Sequence, residues 1–204
     1  MSKNTDNFIQ FVKEECRAAN VKLVLSKSKT VFADGVKTNG YFHHNDKKQS
    51  IVLKCATSKA FKHWFPVFVH EYCHFQQYMD NCPAWVECDK EESDIVFEWI
   101  DGKEYDIRVV KTSIKRTVNI ELDCEKRVVK TIKKFNLPID IPTYIKQANS
   151  YVMFYNYCLL SRKWYQIAPY RVPAVYNNFR KDFRGNYKTL PKSKIKLYKT
   201  HCFI

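Results

Sequence analysis

Between residues 107 and 132 the chain places Ile107, Val110, Ile114, Val118, Leu122, Val129 and Ile132 at steps of three, four or seven. That recurrence makes one apolar stripe on a long helix, and such a helix must lie along a hydrophobic core. A competing reading exists just upstream, where IVFEWI, Asp101-Gly102 and KEYDI can form a hairpin on a two-residue turn. The helical template fits more of the segment. Gly102 then becomes the end of a shorter preceding helix, and Asn136 with Pro138 stops the long one. A further helix is expected over 142–164, on Tyr144, Ala148, Tyr151, Val152, Tyr155 and Leu159, and beyond Pro169 the chain reads as irregular.

Upstream, the pattern changes. Residues 7–19 read as a short amphipathic helix with Phe8, Phe11, Val12 and Cys16 on one face, followed by β-rich runs at 21–25, 29–33, the triplet GYF and 49–56. Asp34-Gly35, Asn39-Gly40 and Asn45-Asp46 are turn signals between them, which predicts a small antiparallel or mixed sheet. A helix then starts near Ser58, a candidate N-cap, and runs to about Met79, with Pro66 kinking or restarting it. The expectation is a single α+β domain over all 204 residues: sheet and first long helix to residue 79, a helical part over 80–168 and a basic extension over 169–204.

Thirty-five basic residues against 21 acidic give a net charge of +14, and from Arg180 to Lys199 eight cations face Asp182 alone. Such a segment suits a polyanion or an acidic protein, or else is a solvated face. The eight cysteines contain no CxxC pair, and the sequence begins without an apolar leader, which together favour reduced thiols and a cytoplasmic setting. The longest nearly uncharged apolar run, Trp64 to Val69, is too short to span a bilayer, so no membrane role is expected.

Within the helix ending near Met79 lies HEYCH. Residues four apart on a helix project together, so His70 and His74 can bind one metal ion while Glu71 points to the side, towards a water on that ion. Zinc lowers the pKa of such a water to about 7, and the glutamate can take its proton as the water attacks a polarised carbonyl. Val67, Phe68, Phe75 and Tyr78 flank the motif, which predicts a largely buried helix on which two histidines and a glutamate are costly without a ligand. A catalytic zinc needs a third protein ligand from another element. NIELDCEKRVV supplies candidates: Glu121, three residues after Val118, and Glu125, three after Leu122, fall on or beside the apolar stripe, whereas Asp123 points away.

HEYCH followed by ELDCE on a later helix resembles the gluzincin branch of the zincin metallopeptidases. In that pattern a glutamate completes HExxH and the acid four residues on supports a ligand histidine. The resemblance implies Glu121 as third zinc ligand and Glu125 as the supporting acid, where the family usually has aspartate, so the two roles can exchange. HExCHFxQ with ELDCEKR and a later QANSY is also similar to small putative metallopeptidases of tailed bacteriophages, over roughly residues 40 to 165, which would put the protein in a host cytoplasm. The zincin likeness further implies a substrate-binding edge strand just before the HExxH helix. QSIVLKCA fits that place, though it can equally be an internal strand.

The function these features imply is zinc-dependent hydrolysis of a protein or peptide substrate. The alternative is a basic, metal-stabilised binding protein that docks on nucleic acid or an acidic partner through residues 180–199, and a protease tethered to DNA, as in SprT-like zincins, combines the two. His43 and His44 can donate to a substrate; His63 and His201 read as bystanders and Cys73 and Cys124 as small buried fillers. Tyr151, Tyr155, Tyr170 and Arg171 are candidate oxyanion donors.

Overall fold

The computed structural model describes residues 2–33, 35–45, 50–90 and 94–203. In chain order the elements are α1 (Lys3–Ala18), β1 (Lys22–Ser26), β2 (Val31–Ala33), β3 (Val36–Thr38), β4 (Gly40–Asn45), β5 (Ser50–Ala56), α2 (Phe61–Met79), α3 (Pro83–Asp89), α4 (Ile95–Ile100), α5 (Ile107–Phe135), α6 (Ile141–Val152), α7 (Phe154–Ser161), α8 (Pro173–Tyr176) and α9 (Lys192–His201). A 3-10 turn at Pro169–Arg171 precedes α8. The class is α+β. Two compact units divide the chain: the stretch up to Asp80 with Arg127–Ile139, and Asn81–Lys126 with the stretch from Asp140 on. The division falls inside α5. Among the described residues no helix is long and apolar enough to cross a membrane.

The first unit is a small sheet with α1, α2 and the last turns of α5. Ser2 caps α1 through its hydroxyl, which accepts from the Thr5 amide at 3.3 Å. Phe8, one turn further on, is fully buried, and its ring meets Phe65, Phe68, Tyr72 and Phe135 at centroid separations between 5.0 and 6.1 Å. Aromatic edges and faces at these distances add to plain area burial. The Cys73 thiol lies 3.7 Å from the Thr131 hydroxyl, so α2 also packs on the end of α5.

The three-stranded sheet has the order β1-β5-β4, with β5 parallel to β1 and antiparallel to β4, and β2-β3 is a separate antiparallel pair. This corrects the placing of QSIVLKCA at an edge: β5 is the central strand, and β4 is the outer strand that runs along α2. Leu53 and Cys55, fully buried, give β5 the apolar inner face of a strand covered on that side. Gly40 is likewise not part of a turn. It opens β4, where a Cβ would stand 2.9 Å from Val67 Cγ1 and 3.0 Å from Glu71 Cγ, and only glycine lets strand and helix approach this closely. The Asn45-Asp46 turn signal extends outside the described residues.

Helix α2 begins at Phe61 behind Ala60, which makes no side-chain cap bond, rather than at Ser58. Pro66 does not restart it, since the helix runs continuously through that position. The ring removes one bond, to the carbonyl of Lys62, and Lys62 is exposed, so water can take that carbonyl.

In the second unit α4 ends as read: Gly102 is left-handed at φ +109°, and the Lys103 amide donates to the Glu98 carbonyl at 3.0 Å. The hairpin alternative is excluded. The buried stripe of α5 runs through Val110, Ile114, Val118, Glu121, Cys124, Glu125, Val128 and Ile132, with Leu122 and Val129 at its border and Ile107 exposed. The expected 142–164 helix is two helices separated at Met153, where the Asn156 amide bonds three residues back to Met153. Residues on either side of the break divide between two clusters, α7 contributing to both. Val152 and Tyr155 join Val96, Trp99, Val110, Ile114 and Val118, whereas Phe154, Tyr157 and Cys158 join Val175, Tyr198 and Cys202.

That second cluster overturns the irregular tail. Ile195 and Tyr198 on α9 and Cys202 at its C-cap form a short stripe, with Tyr198 and Cys202 fully buried and the Tyr198 hydroxyl donating to the Ser150 carbonyl at 2.8 Å. Lysines at 192, 194, 196 and 199 dilute the stripe enough to hide it in the sequence.

Candidate functional site

One helix carries three of the expected site residues. On α2 the rings of His70 and His74 stand 4.6 Å apart at 87°, and their Nε2 atoms converge to 3.1 Å. Two nitrogens bound to one tetrahedral zinc at about 2.0–2.1 Å are roughly 3.3 Å apart, so the pair is already near ligand geometry. The other nitrogen of His74, Nδ1, is 2.8 Å from Oε1 of Gln77. Glu71 is buried at the mouth of β4, against Gly40. Cys55, the register partner of Gly40, has its thiol pushed up to about 12, first by burial and then by the charge of Glu71.

The carboxylates of the second unit are buried rather than solvated at a helix edge: Glu121 is 8% exposed and Glu125 4%. They offer oxygens within 4.8 Å of one another. The Tyr144 hydroxyl donates to Oε2 of Glu125. Tyr151 and Tyr155, which share a hydrogen bond at 2.8 Å, each place a hydroxyl 3.5 Å from Oε1 of Glu121. Both tyrosines are held far above their usual pKa, chiefly by burial and then by the charge of Glu121, so they remain neutral donors. Two buried carboxylates this close repel, and a divalent cation is the kind of group that compensates them.

The remaining candidates separate clearly. Gly40, Phe42 and His44 alternate onto the α2 side of β4, the His44 ring meeting Tyr78 at a centroid separation of 5.1 Å and Phe42 meeting Phe75 at 5.8 Å, both tilted, while His43 lies on the other strand face. His63 is exposed, and His201 ends α9. All eight cysteines are thiols, with Cys73 and Cys124 fully buried. Arg171 lies over the ring of Tyr170, which in turn meets Tyr151. Tyr151 and Tyr155, read as oxyanion donors, face Glu121 in this unit.

Sequence reading missed three contributors. Gln77 carries a usable signal, because it is three residues after His74 and so shares its face. Gly40 was hidden by its resemblance to a turn signal, and Tyr144 by its place on another helix. Comparison with protein-family models, curated proteins and solved structures finds no match to this chain.

Proposed function

We propose that this protein is a zinc-dependent peptide hydrolase in which His70, His74 and Glu121 hold the ion and Glu71 moves the proton. The observation that carries this reading is the convergence of the two Nε2 atoms at 3.1 Å on a continuous helix. Support for the carboxylate comes from the second unit by itself, where Glu121 and Glu125 are buried on one stripe with oxygens within 4.8 Å of one another and Tyr144 donates to Glu125, the acid read as supporting.

When bound, zinc activates water and polarises a carbonyl. Glu71, buried beside Gly40, accepts a proton from the attacking water and returns it to the leaving amine. An extended peptide pairs with the outer strand β4, whose main chain reads it with little demand on sequence. Zincin-type architecture is part of the same proposal.

The purified protein is expected to hold about one zinc per chain, lost in His70→Ala and His74→Ala. Glu71→Gln is expected to keep zinc while hydrolysis of an unfolded protein falls by about 10² to 10⁴-fold. Glu121→Gln should weaken zinc more than Glu125→Gln, and the reverse order exchanges their roles. Metal analysis without zinc removes the site. A zinc-loaded protein that cleaves no peptide in a broad library leaves the binding reading, for which the exposed Lys192, Lys196 and Lys199 of α9 are the observation in favour. In that reading, nucleic-acid affinity falls steeply with salt.

A further inference from the structure

Gln77 is fully buried, whereas its chain neighbours Gln76 and Tyr78 are only partly so. A glutamine there loses rotamer freedom and hydration that a leucine of similar size would not need to replace. One contact gives it a use: Oε1 stands 2.8 Å from His74 Nδ1. A carbonyl oxygen can only accept, so Nδ1 must carry the hydrogen, and a neutral imidazole with its hydrogen on Nδ1 has its lone pair on Nε2. That lone pair points at His70 Nε2, 3.1 Å away. In the metal-free chain His70 therefore donates across the contact, and His70 Nε2 would have to give up that hydrogen, to its own Nδ1 or to solvent, before both Nε2 atoms could hold a cation.

We propose that Gln77 is a positioning residue that fixes the tautomer and ring orientation of His74, presenting Nε2 to the metal. The proposal rests on the zinc-site reading for its purpose, but its structural content stands on the metal-free chain. One turn of helix supplies both partners, at i and i+3, so the device requires no other element.

The test uses full-length protein, metal-free, with histidine ¹⁵N spectra that distinguish the Nδ1–H from the Nε2–H tautomer. His74 is expected as Nδ1–H in the unmutated chain and in Gln77→Glu, which keeps an acceptor oxygen, and as a mixture or the other tautomer in Gln77→Met, which keeps the length and loses the acceptor. Zinc affinity, by competition with a chelating dye, should fall about 10- to 100-fold in Gln77→Met and be largely restored in Gln77→Glu. An Nε2–H tautomer of His74 in the unmutated protein overturns the proposal even where Gln77→Met does not fold. Unchanged tautomer and unchanged zinc affinity in a folded Gln77→Met overturn it too. If the tautomers behave as expected and no variant, nor the unmutated chain, binds zinc, Gln77 keeps its role and the zinc reading falls.

Discussion

The histidine helix of the first unit and the carboxylate stripe of the second hold their polar groups in different ways. On α2, helical repetition brings His70, His74 and Gln77 together, and the body of the helix is fixed by aromatic packing on Phe8. On α5 the same repetition only brings Glu121 and Glu125 into the buried stripe; hydroxyls from α6 and α7 then fasten them. A local motif can be read along the chain, whereas a site built from cross-helix hydroxyls depends on tertiary packing. The first should tolerate loss of a hydroxyl, and the second should not.

The largest effect tests whether the hydroxyl scaffold rests on the core closed by α9. Tyr198→Ala leaves a cavity under Phe154 and is expected to cost about 3–5 kcal/mol, measured by chemical denaturation. A cost near zero would return α9 to the solvated tail read from the sequence. Next, Tyr144→Phe deletes one oxygen and takes a donor from a buried carboxylate, at about 1.5–3 kcal/mol. Gly40→Ala follows: the added methyl presses on Val67 and on Glu71, costing about 1–3 kcal/mol, and it should depress hydrolysis more than zinc content because it displaces Glu71 and leaves the histidines alone. The smallest change is expected from Tyr72→Phe, whose hydroxyl accepts from Gln76 at 3.0 Å on the first unit's helix, at about 0.5–1.5 kcal/mol. If Tyr72→Phe costs as much as Tyr144→Phe, the contrast between the units is wrong.

What the sequence revealed follows the same contrast. HEYCH was legible because spacing on a helix is local, and the long stripe of α5 because seven apolar residues repeat in phase. Its centre was less so. Val128 rather than Val129 is fully buried, and the glutamates lie within the stripe, so the buried face is turned somewhat from the one the apolar residues mark. The order of strands was not legible at all, since QSIVLKCA pairs equally well at a centre or an edge until its neighbours are known. The helix α9 follows from the cluster it joins, and no local propensity encodes that choice.

Because the first unit closes only when Arg127–Ile139 joins the stretch ending at Asp80, the chain has an order of completion during synthesis. His70, Glu71 and His74 leave the ribosome well before Phe135, the last aromatic to meet Phe8. The second unit cannot close until α9, the final helix, has been made. Since elongation proceeds at roughly 5–20 residues per second, His70 and His74 emerge several seconds before Tyr144, Tyr151 and Tyr155 have all been made. The histidine motif is therefore made before any of the hydroxyls that surround the carboxylates.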